Sequence, residues 1–413
     1  MHSRREFLGS ALSAAASMTA SPAARAPWSP QLGWKPHIIR RRDGRGGWSL
    51  HSAEIRFLHR HQGRYVRPWG VAQMDNGEVI LMCTCHDGKS ENTALAERPV
   101  VTFSRDRGDT WSEFQLIENT GPTRPKMLTD LGTGNLMFHA TGFPRPYRQF
   151  FSQDYGRTWT EQRLIQPASN GETFDVEGNA LVERDRQGRA TRIAEIGWNF
   201  DRGTQWPVDP ARCFLRWSYD GGRTWKDEQS PTGWRWHAED GGKRYPRCAS
   251  EGSLIRAANG WLVAMLRIGM LPRYFHLRSD NMEGMGSSVS RDDGVTWSPV
   301  KPIYEAGRMH GHLLCRPNGD LIVTHILRQE LHDGRLLSYR RGCEALVSRD
   351  HGLTWDAGRQ YVLDDFEFFD GVANMQAIVG HLASTQLDDG SILTCYGKYP
   401  TNGACLIRWR PEA

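Results

Sequence analysis

Apolar residues along the chain alternate with polar ones in short runs, and the runs come in pairs joined by a polar residue and a glycine. Tyr245–Arg267, YPRCASEGSLIRAANGWLVAMLR, shows the pattern most plainly. Two predicted strands flank Asn259-Gly260, which supplies the positive φ that a tight hairpin needs. The first strand carries Glu251 among small and apolar residues, and the second ends on Arg267. Antiparallel pairing sets these two near one end of the ribbon, an acid beside a base. Five similar hairpins turn at Asn76-Gly77, Thr133-Gly134, Gln187-Gly188, Asn318-Gly319 and Asp389-Gly390. Successive turn glycines are roughly 54–72 residues apart, a period that predicts units covering one another's apolar faces. About four strands per unit is the content of a propeller blade.

A second repeat, Ser-x-Asp-x-Gly-x-Thr-Trp, is interleaved with the first. It occurs at Ser104–Trp111, Ser152–Trp159, Ser218–Trp225, Ser290–Trp297 and Ser348–Trp355. In each copy the Asp side chain is expected to accept backbone N–H groups across a tight turn. Gly supplies positive φ and Trp packs back over the hairpin. Five equivalent carboxylates do one structural job, so they are not read as catalytic groups.

This eight-residue repeat resembles the Asp-box of the sialidase (neuraminidase) superfamily. The resemblance implies an all-β, six-bladed β-propeller with a site on the central axis, and it spans essentially all of residues 27–413. The sixth unit, from Val379 onward, holds only three strands' worth of residues. Its fourth strand is expected from the N-terminal segment around Ala53–His59, which closes the ring and removes an open sheet edge.

Residues 1–26 are read as lying outside the fold. Ser3-Arg4-Arg5-Glu6-Phe7-Leu8 resembles a twin-arginine export signal, followed by a weakly apolar run and Ala24-Arg25-Ala26 as a cleavage site. The run is too short and polar to span a bilayer. The expected partner is the export machinery, and the expected location is periplasmic or extracellular. The formal charge is +5; the signal holds three arginines against one glutamate, and its removal leaves +3. That balance and the lack of long basic runs argue against nucleic acid as a partner. The eight cysteines form no CxxC pair and read as small buried residues. His310-Gly311-His312 has metal-like spacing, but two histidines on one strand face read as hydrogen-bonding groups in a cleft, so no metal or cofactor is assigned.

Counting nine or ten residues back from each turn glycine gives a ring of axial candidates. They are Arg67, Arg124, Glu177 or Asn179, Glu251, His310 and His381. Polar residues where structural strands would be apolar are the main functional signal. In the sialidase pattern, Arg67 resembles the first arginine of the carboxylate-binding triad, Glu251 the glutamate that activates the nucleophile, and Arg267 the second arginine. The loop after Arg67 offers Asp87 or Glu91 where sialidases keep their acid/base aspartate. His381 stands where they have the nucleophilic tyrosine. No third arginine lies shortly before it; Arg359, Arg340 and Arg341 are the nearest, while Tyr396 and Tyr399 follow one strand later.

These residues imply a glycoside hydrolase acting on a terminal, acidic sugar. Arg67, Arg124 and Arg267 would hold the anion, with Glu177 and His312 also lining the substrate site. Glu251, His310, His381 and Asp87 would supply acid/base chemistry. Two other classes fit the same residues: a polysaccharide lyase with His381 as base, and a non-catalytic carbohydrate-binding propeller.

Overall fold

The computed structural model describes residues 33–58, 60–61, 64–86, 97–141, 146–200, 211–277, 283–367, 381–398 and 403–412. Among these the regular structure is strand, interrupted only by short 3-10 turns such as Pro272–Leu277. The fold is all-β. Every turn glycine that marks a hairpin in the sequence (77, 134, 188, 260, 319 and 390) has φ between 79° and 89°.

The strands pair antiparallel, most of them with a neighbour in sequence. Arg64–Gln73 pairs with Val79–His86, and that strand with Arg98–Ser104. Arg124–Gly132, Asn135–Thr141 and Arg148–Ser152 repeat the order. In the next unit Asp175–Val176 and Leu181–Arg184 share one partner, Ala190–Asn199. Lys243–Arg256, Arg308–Cys315 and Leu382–Gln386 each open a further hairpin, the last two being the opposite edges of one nine-stranded sheet. These opening strands touch one another in succession, and Leu382–Gln386 lies against both Arg308–Cys315 and Arg64–Gln73. The N-terminal strand Trp48–Leu58 pairs with the C-terminal strand Gly403–Trp409, Glu54 opposite Arg408 and Leu58 opposite Ala404.

The core lies between neighbouring sheets. One cluster joins Val79, Leu81 and Val100 to Leu393 and Leu406; another joins Ala194 and Leu215 to Leu254 and Leu266. All eight cysteines are free, and all but Cys315 are buried. Of the non-box tryptophans, Trp234 is wholly buried in the core rather than available to a sugar.

All five boxes have the same bonding. The Asp accepts from the Thr backbone N–H at 2.7–2.9 Å and from the Thr hydroxyl at 2.5–2.6 Å. The Ser hydroxyl accepts from the Gly N–H at 2.7–2.9 Å. Gly156 shows why glycine is required: φ is +80°, and a Cβ there would lie 2.6 Å from Ile80. Asp154→Ala is therefore expected to cost about 1–2 kcal/mol of stability, since it strips acceptors from one turn. Turnover of the folded fraction should be unchanged; comparing unfolding midpoints with activity per folded molecule checks both.

Four opening strands carry a β-bulge, between Pro68 and Gly70, Lys126 and Thr129, Ala249 and Gly252, and Met309 and His312. A bulge bends the strand and re-aims its side chain. Trp69, Met127, Glu251 and His310 fall inside these bulges, and Met127 and His310 adopt φ of 53° and 54°. That conformation is costly for a residue with a Cβ and recurs at functional sites.

Candidate active site

Three of the bulged strands, those of Trp69, Met127 and His310, line a small cavity of about 20 Å³, room for roughly one water molecule. Its lining includes Trp69, Lys126, Glu177, His310, His312 and His381. His381 Nδ1 lies against Glu177 Oε1. The other oxygen of Glu177 accepts from Lys126 Nζ at 2.6 Å, and Lys126 also reaches Asp175 at 3.3 Å. The His381 ring stacks on Trp69, centroids 3.9 Å apart. Trp69 is itself fixed by donating to Thr84 Oγ1. The His381 side chain is 20% exposed, against 5% for Glu177 and 6% for His310, so His381 is the member of this set that meets solvent.

Behind the cavity, His310 Nδ1 sits 3.1 Å from Glu251 Oε2 and 3.6 Å from Glu177 Oε1. Arg267 Nη1 donates to Glu251 Oε2 at 2.8 Å, while its Nε contacts Glu283. Arg328 Nη2 lies 3.2 Å from His310 Nε2.

Burial and charge divide the two glutamates. Burial pushes Glu177 up to about 8, with the Glu251 charge adding to the rise and Lys126 opposing it. Burial also raises Glu251, but Arg267 and His310 outweigh it and hold this carboxyl well below its usual range. His381 is held well below the histidine range by burial, then by His310 and Lys126. His310 is lowered by burial, and His312 falls to about 4 for the same reason. Near neutral pH the three imidazoles are uncharged, Glu251 is ionised, and Glu177 stands close to its titration point.

Glu177, His310 and His381 each offer a ligand atom within 4.8 Å of the others, a spread that a divalent cation can bridge. His310 does not suit that role. A guanidinium only donates, so Nε2 of His310 accepts from Arg328 and Nδ1 carries the ring proton. Histidine ligands place their second nitrogen against an acceptor instead.

Glu251 and Arg267 meet as the hairpin register requires, and Glu177, His310, His312 and His381 share the cavity. The partner of His381 is Glu177, not Glu251. Asn179, the other residue considered for the third unit, is a staple: it donates to Leu254 O and accepts from Leu313 N. Arg67 and Arg124 do not line the cavity. Both grip the fully buried Glu97, at 3.2 and 2.8 Å. In the second unit the cavity residue is Lys126, two positions beyond Arg124. Tyr396 is buried and donates to Asp364 in the neighbouring core. Asp87, Glu91 and Tyr399 lie outside the described residues. Sequence reasoning missed Lys126, Trp69, Glu97 and Arg328; a bulge-aware count would have found Lys126 and Trp69, whereas nothing local marks Glu97 or Arg328.

Residues 147–402 match the family model described as BNR repeat-like domain. No curated protein matches the chain. Among solved structures, a protein of unknown function from Dyadobacter fermentans aligns with a TM-score of 0.62 at 19% identity, covering 86% of this chain and 98% of that one. The Hadza microbial sialidase Hz136 aligns at 0.55 and 14%, covering 83% of this chain and 65% of its own. The intramolecular trans-sialidase from Ruminococcus gnavus aligns at 0.54 and 12%, covering 84% and 94%. At these identities the likeness concerns the fold, a β-propeller. The chain is a divergent, sialidase-like member of the BNR repeat-like domain family.

Proposed function

We propose that the protein is a glycoside hydrolase working at the axis of a six-bladed propeller, the sixth blade being completed by Trp48–Leu58. The observation that carries this reading is the His381–Glu177 pair, solvent-touching and facing a cavity. With Nδ1 occupied by Glu177, Nε2 is the nitrogen left to meet substrate. When Glu177 is protonated it passes its proton to Nδ1 as Nε2–H protonates the leaving glycosidic oxygen. The carboxylate and Nδ1–H so formed then accept a proton from the incoming water through Nε2, which restores the starting state. A carboxyl poised near neutrality suits both half-steps. Glu251, kept ionised by Arg267, supplies negative charge towards an oxocarbenium-like centre.

A lyase is the second reading, favoured by a histidine held neutral and thus able to abstract a proton beside a uronate carboxylate. Incubating the purified chain with a polysaccharide panel, sialosides included, tests the proposal. New reducing ends without ultraviolet absorbance support hydrolysis, an unsaturated uronate supports the lyase, and retention without products overturns both.

Export is proposed from the Arg4-Arg5 motif, which a receptor reads as an address. Replacing the pair by Lys-Lys should strand the precursor in the cytoplasm on cell fractionation; unimpaired export would remove this part of the reading.

A further inference from the structure

We infer that Arg328 is a positioning residue that fixes His310 as its Nδ1–H tautomer and so separates the roles of the two axial glutamates. Arg328 directly follows the strand Leu321–Leu327, and its backbone N–H is tied to Gly307 O at 2.9 Å. It is 4% exposed, and its guanidinium faces His310 Nε2 at 3.2 Å. Because a guanidinium has no lone pair to offer, Nε2 must be the acceptor and the single ring proton must sit on Nδ1. That proton has two carboxylates in view, Glu251 Oε2 at 3.1 Å and Glu177 Oε1 at 3.6 Å. It goes to the nearer.

Glu251 therefore faces a second N–H beside Arg267, whereas Glu177 Oε1 lies farther from His310 and is left to His381. With the ring turned into the other tautomer, Nδ1 would present a lone pair to two carboxylates and the arrangement would repel. The influences on His310 oppose one another, with a net downward direction set first by burial. Arg328 and Arg267 disfavour its protonation, Glu251 favours it, and burial adds to the first pair. The left-handed backbone at His310 holds the ring in this position. His310 thus works as a neutral spacer, its Nε2 held by Arg328 and its Nδ1 turned toward Glu251, leaving His381 to exchange protons with substrate. The inference shares the axial site with the proposed function but does not depend on turnover.

Long-range ¹H–¹⁵N spectra of protein labelled with ¹⁵N-histidine read the tautomer without substrate. The His310 signal is assigned by its loss in His310→Asn, a residue that tolerates the left-handed backbone. Wild-type His310 should show protonated Nδ1 and bare Nε2. In Arg328→Met that pattern should be lost, and Arg328→Lys, which keeps a cationic donor, should restore it. Once a substrate is in hand, the acid limb of kcat/KM in Arg328→Met should move up, because removal of that cation also eases protonation of His381. An Nε2–H tautomer in the wild-type protein overturns the inference even if Arg328→Met fails to fold. So does an Arg328→Met spectrum identical to wild type. A correct tautomer in a protein that processes no glycan would remove the proposed function and leave this inference standing.

Discussion

His381→Ala is expected to lower turnover of the glycan substrate by roughly 10²–10⁴-fold, the usual contribution of a positioned proton-transfer group. The substitution removes the cavity histidine that touches Glu177 and is the more exposed of its neighbours there. His381→Gln keeps most of the volume against Trp69 and should be as inactive, which separates lost chemistry from a collapsed stack. Glu177→Gln retains an acceptor for Nδ1 but cannot cycle a proton, so it should lose activity without losing the fold. Wild-type kcat/KM should keep its basic form to unusually low pH: the His381 conjugate acid lies well below the ordinary histidine value of about 6.5, so the acid limb falls below that point. No covalent sugar–tyrosine adduct should appear by intact mass with fluorinated sialic-acid reagents. Full activity of His381→Ala would return the search to Asp87, Glu91 and the loops around them.

The second large effect concerns stability. Glu195→Gln should cost about 3–5 kcal/mol, because it leaves a guanidinium buried without a counter-charge. Glu195 and Arg216 are both fully buried and 2.6 Å apart, and His139 approaches the other carboxylate oxygen at 3.1 Å. Arg216 also donates to Gln166 O and lies 3.5 Å over the Phe174 ring, so it has no route to water. Burial raises the Glu195 carboxyl, but His139 and Arg216 outweigh it and the net direction is down. A lowered carboxyl contributes stability above its unfolded-state value of about 4.3 and loses it as pH falls through the folded value. The gap between wild type and Glu195→Gln in urea unfolding should thus be full at pH 7 and close in acid. None of these groups lines the axial cavity, so activity per folded molecule should hold. A gap below 1 kcal/mol at pH 7 would mean that Arg216 is solvated.

The hairpins and boxes were legible because each depends on a few neighbouring residues: a glycine at positive φ, an Asp whose donors lie within four residues of it. The count from the turn glycines led to His310 and His381, which line the cavity, and to Glu251, which lies behind it beside His310. It misplaced the second unit, where Arg124 turns to Glu97 and Lys126 enters the cavity. A bulge adds residues to one strand of a pair, and no sequence pattern here announces where. The third unit differs again, since Asp175–Val176 is set apart from the hairpin strand Leu181–Arg184. Pairings such as Arg67 with Glu97, or Arg328 with His310, join residues whose neighbours carry no mark of the contact. They are set by packing of whole sheets rather than by local sequence.

Soaking crystals of His381→Gln with the glycan that the wild-type protein processes is the most direct measurement of the central claim. The reacting linkage should lie over the axial cavity, within hydrogen-bonding reach of residue 381 and beside Lys126 and Trp69. A productive glycan bound elsewhere, with the axis untouched, would contradict the account.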